Sequence, residues 1–342
     1  MTRIQSAAEC SAAGCALLDR RDPRAALWYF HEALARGESA RVHVNERWTC
    51  RMLLGEFESA WRESDMAGAS FDHDAMGRAA SVSVRCLRGF GDAIQFLRYA
   101  PALAARVGHV TVHAPRAMHP LLRRIGGVEK LLTLEEKSSC EGDIECSDLP
   151  YFFRTNIREI PPAADFSWRA GSKATSLYRR IGVVWSAGGW NQTRSLPVES
   201  LRSLAEIPGI TLHSLQRLPE HPSNLPHLPD FLHNLEGREQ SIMATAESIY
   251  ALDLIISVDT MVAHLAASLG RPVWLLLPWR ADWRWMLARN DSPWYPGMRL
   301  IRQTREGDWL GVIQIARAML AERVRCSADE LIWPGDCSPA TP

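Results

Sequence analysis

The chain has 342 residues, 46% hydrophobic and 23% charged, the makeup of an ordinary globular protein with room for two or three domains. Lys+Arg and Asp+Glu balance at 39 each, so no global field draws nucleic acid, and an anionic ligand must be held by local geometry. No apolar run reaches the roughly 18–20 residues of a membrane span, the start "MTRIQSAAECSAAGC" lacks a signal-peptide core, and the cysteines form no CxxC, so the expectation is a cytoplasmic chain without a transmembrane segment, disulfide framework or metal site.

Residues 1–75 read as helices without strands. Laying "GCALLDRRDPRAALWYFHEALARG" over "WTCRMLLGEFESAWRESDMAGA" sets Ala26 on Ala60 and Ala33 on Ala67, a period of 34 that is the tetratricopeptide length. Small residues at such places let paired helices pack closely; the alternative is an unrelated helical hairpin that caps the next domain. From Ser81 the pattern changes to "SVSVRCL", a helix over Asp92–Val107, "HVTVHA", a helix around "RAMHPLLRRI", and "EKLLTL". Strands alternating with helices imply crossover connections and a parallel sheet.

Residues 165–179 have no period and read as a linker. Alternation then restarts with "RIGVVWSAGG", a helix over Pro197–Ala205, "ITLHSLQ", a helix over Ser241–Leu252, "LIISV" and a helix ending at Leu269. It continues through "PVWLLL" and "MRLIRQ" to a helix over Trp309–Arg323, and a Pro- and His-rich connection spans Leu218–Glu239. The expected fold is α/β: a short all-α tetratricopeptide-like segment (1–75), two Rossmann-like doubly wound domains (76–164 and 180–325) joined by the linker, and a tail (326–342). Ligands in such folds bind at the carboxyl ends of the strands, so the strand-to-helix turns carry the chemistry.

In "CLRGFGDAIQF", Gly89 and Gly91 bracket a tight turn and Asp92 falls at a helix start, where it serves either as a plain cap or as a base pointing into the cleft. In "VVWSAGGWNQTRSLP", small residues from Ser186 to Gly189 let a ligand near the backbone, and Asn191, Thr193 and Arg194 supply donors that suit a diphosphate, unless this is only a loop with a solvated Arg. In "LIISVDTMVAHLAASLG", the buried strand ends at Asp259 and Thr260. The amides of Thr260 and Met261 are helix-start donors aimed where an anion can sit, with His264 one turn on; the alternative is a cap and a core histidine.

The run "WRADWRWMLARNDSPWY" interleaves Trp279, Trp283, Trp285, Trp294 and Tyr295 with Arg280, Asp282 and Arg284. Trp279, Asp282 and Trp283 are candidates to meet a sugar or acceptor; packing of the inter-domain seam is the rival account. The Asp72–Asp74 "DHD" lies at a helical junction rather than a strand end, and His213, His221, His227 and His233 have no ligand spacing.

Together, "RGFGDAIQFLRYAPAL", "GVVWSAGGWNQTRSLP" and "ISVDTMVAHLAASLGRPVWLLLPWRADWRW" resemble bacterial tetratricopeptide-linked glycosyltransferases related to the ADP-heptose:lipopolysaccharide heptosyltransferase family, over Val82 to Leu320. The resemblance implies a GT-B fold and an inverting, metal-independent transfer, with a nucleoside-diphosphate sugar as donor substrate and no cofactor. It implies Asp92 as general base. Gly89, Gly91, Ser186, Asn191, Arg194, Gln216, Asp259, Thr260, Met261 and His264 would hold the nucleotide sugar. Heptosyltransferases more often carry Lys where Arg194 stands, and repeat-linked relatives often carry an acidic residue or Gln where this chain has Leu87 and Arg88. The implied partners are a saccharide, lipid-linked glycan or protein acceptor, and a protein bound through the helical N-terminus. The rival classes are a non-catalytic nucleotide-sugar-binding module and a sugar-nucleotide epimerase.

Overall fold

The computed structural model describes residues 6–68, 71–166, 179–188, 191–217, 228–234 and 241–325. Residues 167–178 of the expected linker, the tail from 326, Gly189, His221 and His227 lie outside the described residues.

Four helices come first: α1 (Ala7–Asp19), α2 (Pro23–Ala35), α3 (Val44–Leu54) and α4 (Phe57–Ala67). Ser6 and Glu9 form a capping box on α1, and the Asp22 carboxylate with Pro23 behind it starts α2. α1 packs on α2 and α3 on α4. Ala26, Ala33 and Ala60 are buried, whereas Ala67, at the end of α4, is exposed, so only one of the two aligned pairs is buried at both places. The buried Glu63 carboxylate joins α4 to α3 by accepting from Arg47 Nε at 2.9 Å and Arg51 Nε at 3.0 Å.

A short α5 (His73–Arg78) follows, its first amides capped by Asp72, so the Asp-x-Asp stretch serves a helix start. Next come β1 (Ser81–Arg85), α6 (Phe90–Phe96), α7 (Ala100–Val107), β2 (His109–His113), α8 (His119–Leu122), β3 (Lys130–Leu132), β4 (Gly142–Glu145) and α9 (Leu149–Phe152). The strands form a parallel sheet in the order β3-β2-β1-β4. The helix expected over Asp92–Val107 instead starts at Phe90 and breaks at residues 97–99, because Pro101 has no N–H for the Leu97 carbonyl.

The second parallel sheet holds β5 (Arg179–Val184), β6 (Ile210–Ser214), β7 (Leu232–His233), β8 (Leu254–Val258), β9 (Val273–Leu277) and β10 (Met298–Arg302), in the order β10-β9-β8-β5-β6-β7. Its helices are α10 (Arg202–Ala205), α11 (Ile242–Tyr250), α12 (Met261–Ser268) and α13 (Trp309–Arg325). Every residue of β8 and β9 is buried, as continuous apolar runs between two helical layers must be. A Cβ on Gly182 would lie 2.7 Å from the side chains of Leu215 and Leu252, so only glycine lets β5 run through this crowded centre. In each sheet the first strand has later strands on both sides, and connections part from it in opposite directions. These switch points, β1/β4 and β5/β8, leave a crevice at the carboxyl ends of the strands.

One buried apolar cluster runs from Met52 and Trp61 through the first sheet to Val184, Ile255 and Leu275 on the second; another fills the far side of the second sheet. The helical segment touches both sheets' surroundings. Trp61 Nε1 donates to the Thr155 carbonyl at 2.7 Å and Arg154 pairs with Asp65 at 2.6 Å, while Leu287 N donates to the Leu53 carbonyl at 3.1 Å and Trp48 meets Trp283 edge to face. No helix among the described residues is long and apolar enough to cross a membrane.

Candidate active site

The turns after β1, β5, β6, β8 and β9 converge on one cleft of about 1010 Å³. α6 and α12 meet there at close range. A Cβ on Gly91 would fall 2.8 Å from His264 Cδ2, a distance real side chains do not tolerate, so glycine permits the contact. Gly91→Ala will therefore lower stability by about 1–3 kcal/mol through overpacking, read as a fall in Tm; an unchanged Tm would show that the helices do not meet this way.

Asp92, at the third residue of α6, accepts the Gly89 N–H on Oδ2 at 3.1 Å. Its other oxygen accepts from Arg284 Nη2 at 2.8 Å. The carboxylate thus caps its helix and also faces the cleft, so the two accounts of this residue coexist. Arg284 reaches it from the segment after β9 and also holds Asp282, whose Oδ1 lies 2.9 Å from Nε. Burial opposes the Arg284 cation, but Asp282, Asp92 and Asp259 outweigh burial and hold its pKa above the ordinary arginine value.

Across the cleft, Thr260 stands at the N-cap of α12 in extended conformation (φ −141°, ψ 168°) without capping it. Its hydroxyl lies 3.1 Å from Ser257 Oγ instead, and Thr260 and Met261 line the cleft wall with helix-start N–H groups that no side chain caps. Asp259 is buried and lines the same cleft. Its Oδ2 accepts from Trp285 Nε1 at 3.1 Å, and His264 Nε2 lies 3.7 Å from Oδ1. His264 in turn contacts the Tyr295 hydroxyl through Nδ1 at 3.1 Å. Burial alone would raise the Asp259 pKa, yet His264, Arg284 and Trp285 together bring it from 3.8 down to about 2.

A lowered carboxylate pKa stabilises the fold above the unfolded value, and that stability is lost as pH falls through the folded value. Asp259 therefore contributes about 2 kcal/mol that disappears between pH 4 and pH 2. In urea titrations Asp259→Asn will show a flatter acid limb over this window than the parent chain. Equal acid sensitivity of the two would remove Asp259 as the source.

Ser186 and Arg194 line the cleft after β5. Arg194 Nη1 donates to the Asp259 carbonyl at 3.2 Å, tying that turn to the start of α12. Gln216, after β6, braces the same turn: Oε1 accepts the Ser186 N–H at 2.9 Å and Nε2 donates to the Ser186 carbonyl at 3.1 Å. It lines the cleft while both ends of its amide hold backbone, so its part is to shape the turn.

Three candidates lie elsewhere. Asn191 does not line the cleft; its Oδ1 accepts the Thr193 N–H at 3.1 Å and stabilises its own turn. Trp283 packs against Phe96, Trp48 and Trp294, as the seam-packing account expects. Trp279 lies under the Arg21 guanidinium, 4.3 Å from the ring centroid, in a separate cavity. Of Trp279, Asp282 and Trp283, only Asp282 lines the cleft. His213 and His233 stack on neighbouring strands at 5.2 Å, away from the cleft, and among the described residues no group of three or more His, Cys, Asp or Glu gathers as metal ligands. Arg284 is the residue that pattern reasoning passed over. In sequence it is one charge in an aromatic run, and its partner Asp92 is 192 positions away.

No family model matches the sequence, and no curated protein matches it. Solved structures are similar in fold. E. coli ADP-heptose LPS heptosyltransferase II superposes with a TM-score of 0.51 at 17% identity, over 71% of this chain and 99% of that one. E. coli heptosyltransferase WaaC with ADP gives 0.46 at 14%, over 71% and 99%. A glycosyl transferase of family 9 from Veillonella parvula gives 0.49 at 11%, over 71% and 96%. At such identities the likeness is one of fold.

Proposed function

We propose that the protein is an inverting, metal-independent glycosyltransferase of GT-B type that moves a sugar from a nucleoside-diphosphate sugar to an acceptor hydroxyl. Residues 180–325 would hold the donor and residues 76–164 the acceptor, with residues 1–75 a tetratricopeptide-like segment that binds a protein partner. The observation that carries this reading is the placement of Asp92 and the uncapped start of α12 on one cleft. The fold shared with a protein named for ADP-heptose supports it.

In this reading the diphosphate lies against the Thr260 and Met261 amides, between Arg194 and Arg284. Its oxygens compete for the Arg284 guanidinium and release Oδ1 of Asp92. The acceptor O–H then loses its proton to Asp92 as its oxygen bonds to the anomeric carbon. The bond from that carbon to the diphosphate oxygen breaks on the opposite face, and its electron pair leaves with the nucleoside diphosphate, where cations and amides meet the new charge.

The Arg284–Asp92 ion pair, with Leu87 and Arg88 ahead of the glycines, also fits a module that binds nucleotide sugars without turning them over. Incubation with a panel of nucleotide sugars and hydroxyl acceptors separates the readings. Transfer predicts nucleoside diphosphate release that depends on acceptor; binding without release would establish the non-catalytic module, and an altered sugar formed without acceptor would establish an epimerase.

A further inference from the structure

A second cavity, of about 480 Å³, lies where the α1–α2 turn, β10, α13 and the Trp279 segment meet. Arg21, Arg299 and Arg302 line it, and among the described residues no acidic one does. The acids of the adjoining loops are already engaged: Asp19 and Glu306 by Arg280, Asp291 by Arg289, Asp308 by Arg305, and Asp22 by the Ala25 amide that it caps. Burial, then the neighbouring Arg21 and Arg289 charges, push the Arg302 pKa down to about 10, so it remains a cation at neutral pH among other cations.

The donor capacity here exceeds what the fold uses. Arg302 spends Nε on the Arg289 carbonyl at 3.2 Å and Nη2 on the Trp285 carbonyl, while buried Nη1 meets no acceptor among the described residues. Buried Nε of Arg21 and buried Nε2 of Gln303, both on side chains that line the cavity, likewise meet none. Arg21 is also held at φ 61°, a left-handed conformation that favours glycine and that a long side chain adopts only under constraint. Like charges without counter-ions, spare buried donors and a strained backbone that keeps one of the charges in place all point to a ligand of opposite charge.

We infer that this cavity is a binding site for a phosphoryl anion, separate from the cleft that holds Asp92. Guanidinium forks suit phosphate oxygens, and Trp279, Leu300 and Ile315 give the same cavity an apolar wall for an organic substituent. Because Arg21 belongs to the helical segment and Arg302 to the edge strand of the second sheet, the ligand would be clasped between them.

Calorimetric titration of the full chain with inorganic pyrophosphate tests this. The expected result is two sites per chain, one of them weakened about tenfold or more in Arg21→Gly, which relieves the strained backbone while deleting the charge, and in Arg299→Gln at the exposed rim. Melting temperatures of both variants check that the fold persists. A single site untouched by either variant would overturn the inference and leave the cleft reading intact. A single site lost in both variants would support the inference and count against diphosphate binding in the cleft.

Discussion

Asp92→Asn will lower sugar transfer by about 100- to 10,000-fold, the loss expected when a positioned base is removed, while nucleoside diphosphate affinity is kept or rises, because the Asp92 charge no longer competes for Arg284. The amide oxygen still accepts from the Gly89 N–H, so the start of α6 survives, and the exchange costs about 1 kcal/mol of stability at most by comparison with other helix caps. Single-turnover transfer beside calorimetric binding separates the two effects. Turnover equal to that of the parent chain would show that the proton goes elsewhere.

Arg284→Met carries the second large effect, on stability and binding together. The guanidinium is nearly buried and is shared by Asp92 at 2.8 Å and Asp282 at 2.9 Å, with the Asp259 charge nearby. Removing it leaves carboxylates facing one another in a confined space, and breaking a buried pair from one side costs about 3–5 kcal/mol. Denaturant unfolding will register that loss, and binding of nucleoside diphosphate will fall as well. Arg284→Lys keeps the charge but not the fork; it will recover much of the stability and little of the affinity. If the Met variant is as stable as the parent, the cluster is held by other means.

The parallel sheets were legible because their strands are written as unbroken apolar runs, "LIISV" and "VWLLL", closed by glycine-rich or capped turns. Strands with little apolar side chain escaped: Gly142–Glu145 reads "GDIE", and Leu232–His233 is two residues long, so neither carries a period that can be seen. The stretches ending in α8 and α10 read as single helices, whereas residues 116–118 and 198–201 form 3₁₀ turns ahead of one α-helical turn each. Local chemistry marked Asp92, Thr260 and His264, each at the head of a helix. It did not mark Arg284, whose meaning depends on which acids the fold brings to it, nor the engagement of Gln216 with backbone 30 residues earlier. The tryptophans were ambiguous for the complementary reason: indole rings serve carbohydrate and hydrophobic seams equally well, and only the fold shows Trp283 stacked on Phe96.

The ties from the N-terminal helices to both sheets bear on how substrates arrive. Swinging one sheet away from the other as a rigid body would have to pull the Trp61 indole from the Thr155 carbonyl or the Leu53 carbonyl from the Leu287 amide. The helices act as a strut between the two sheets, so a ligand of the cleft would enter by rearrangement of loops and side chains at the mouth, with little help from wholesale opening.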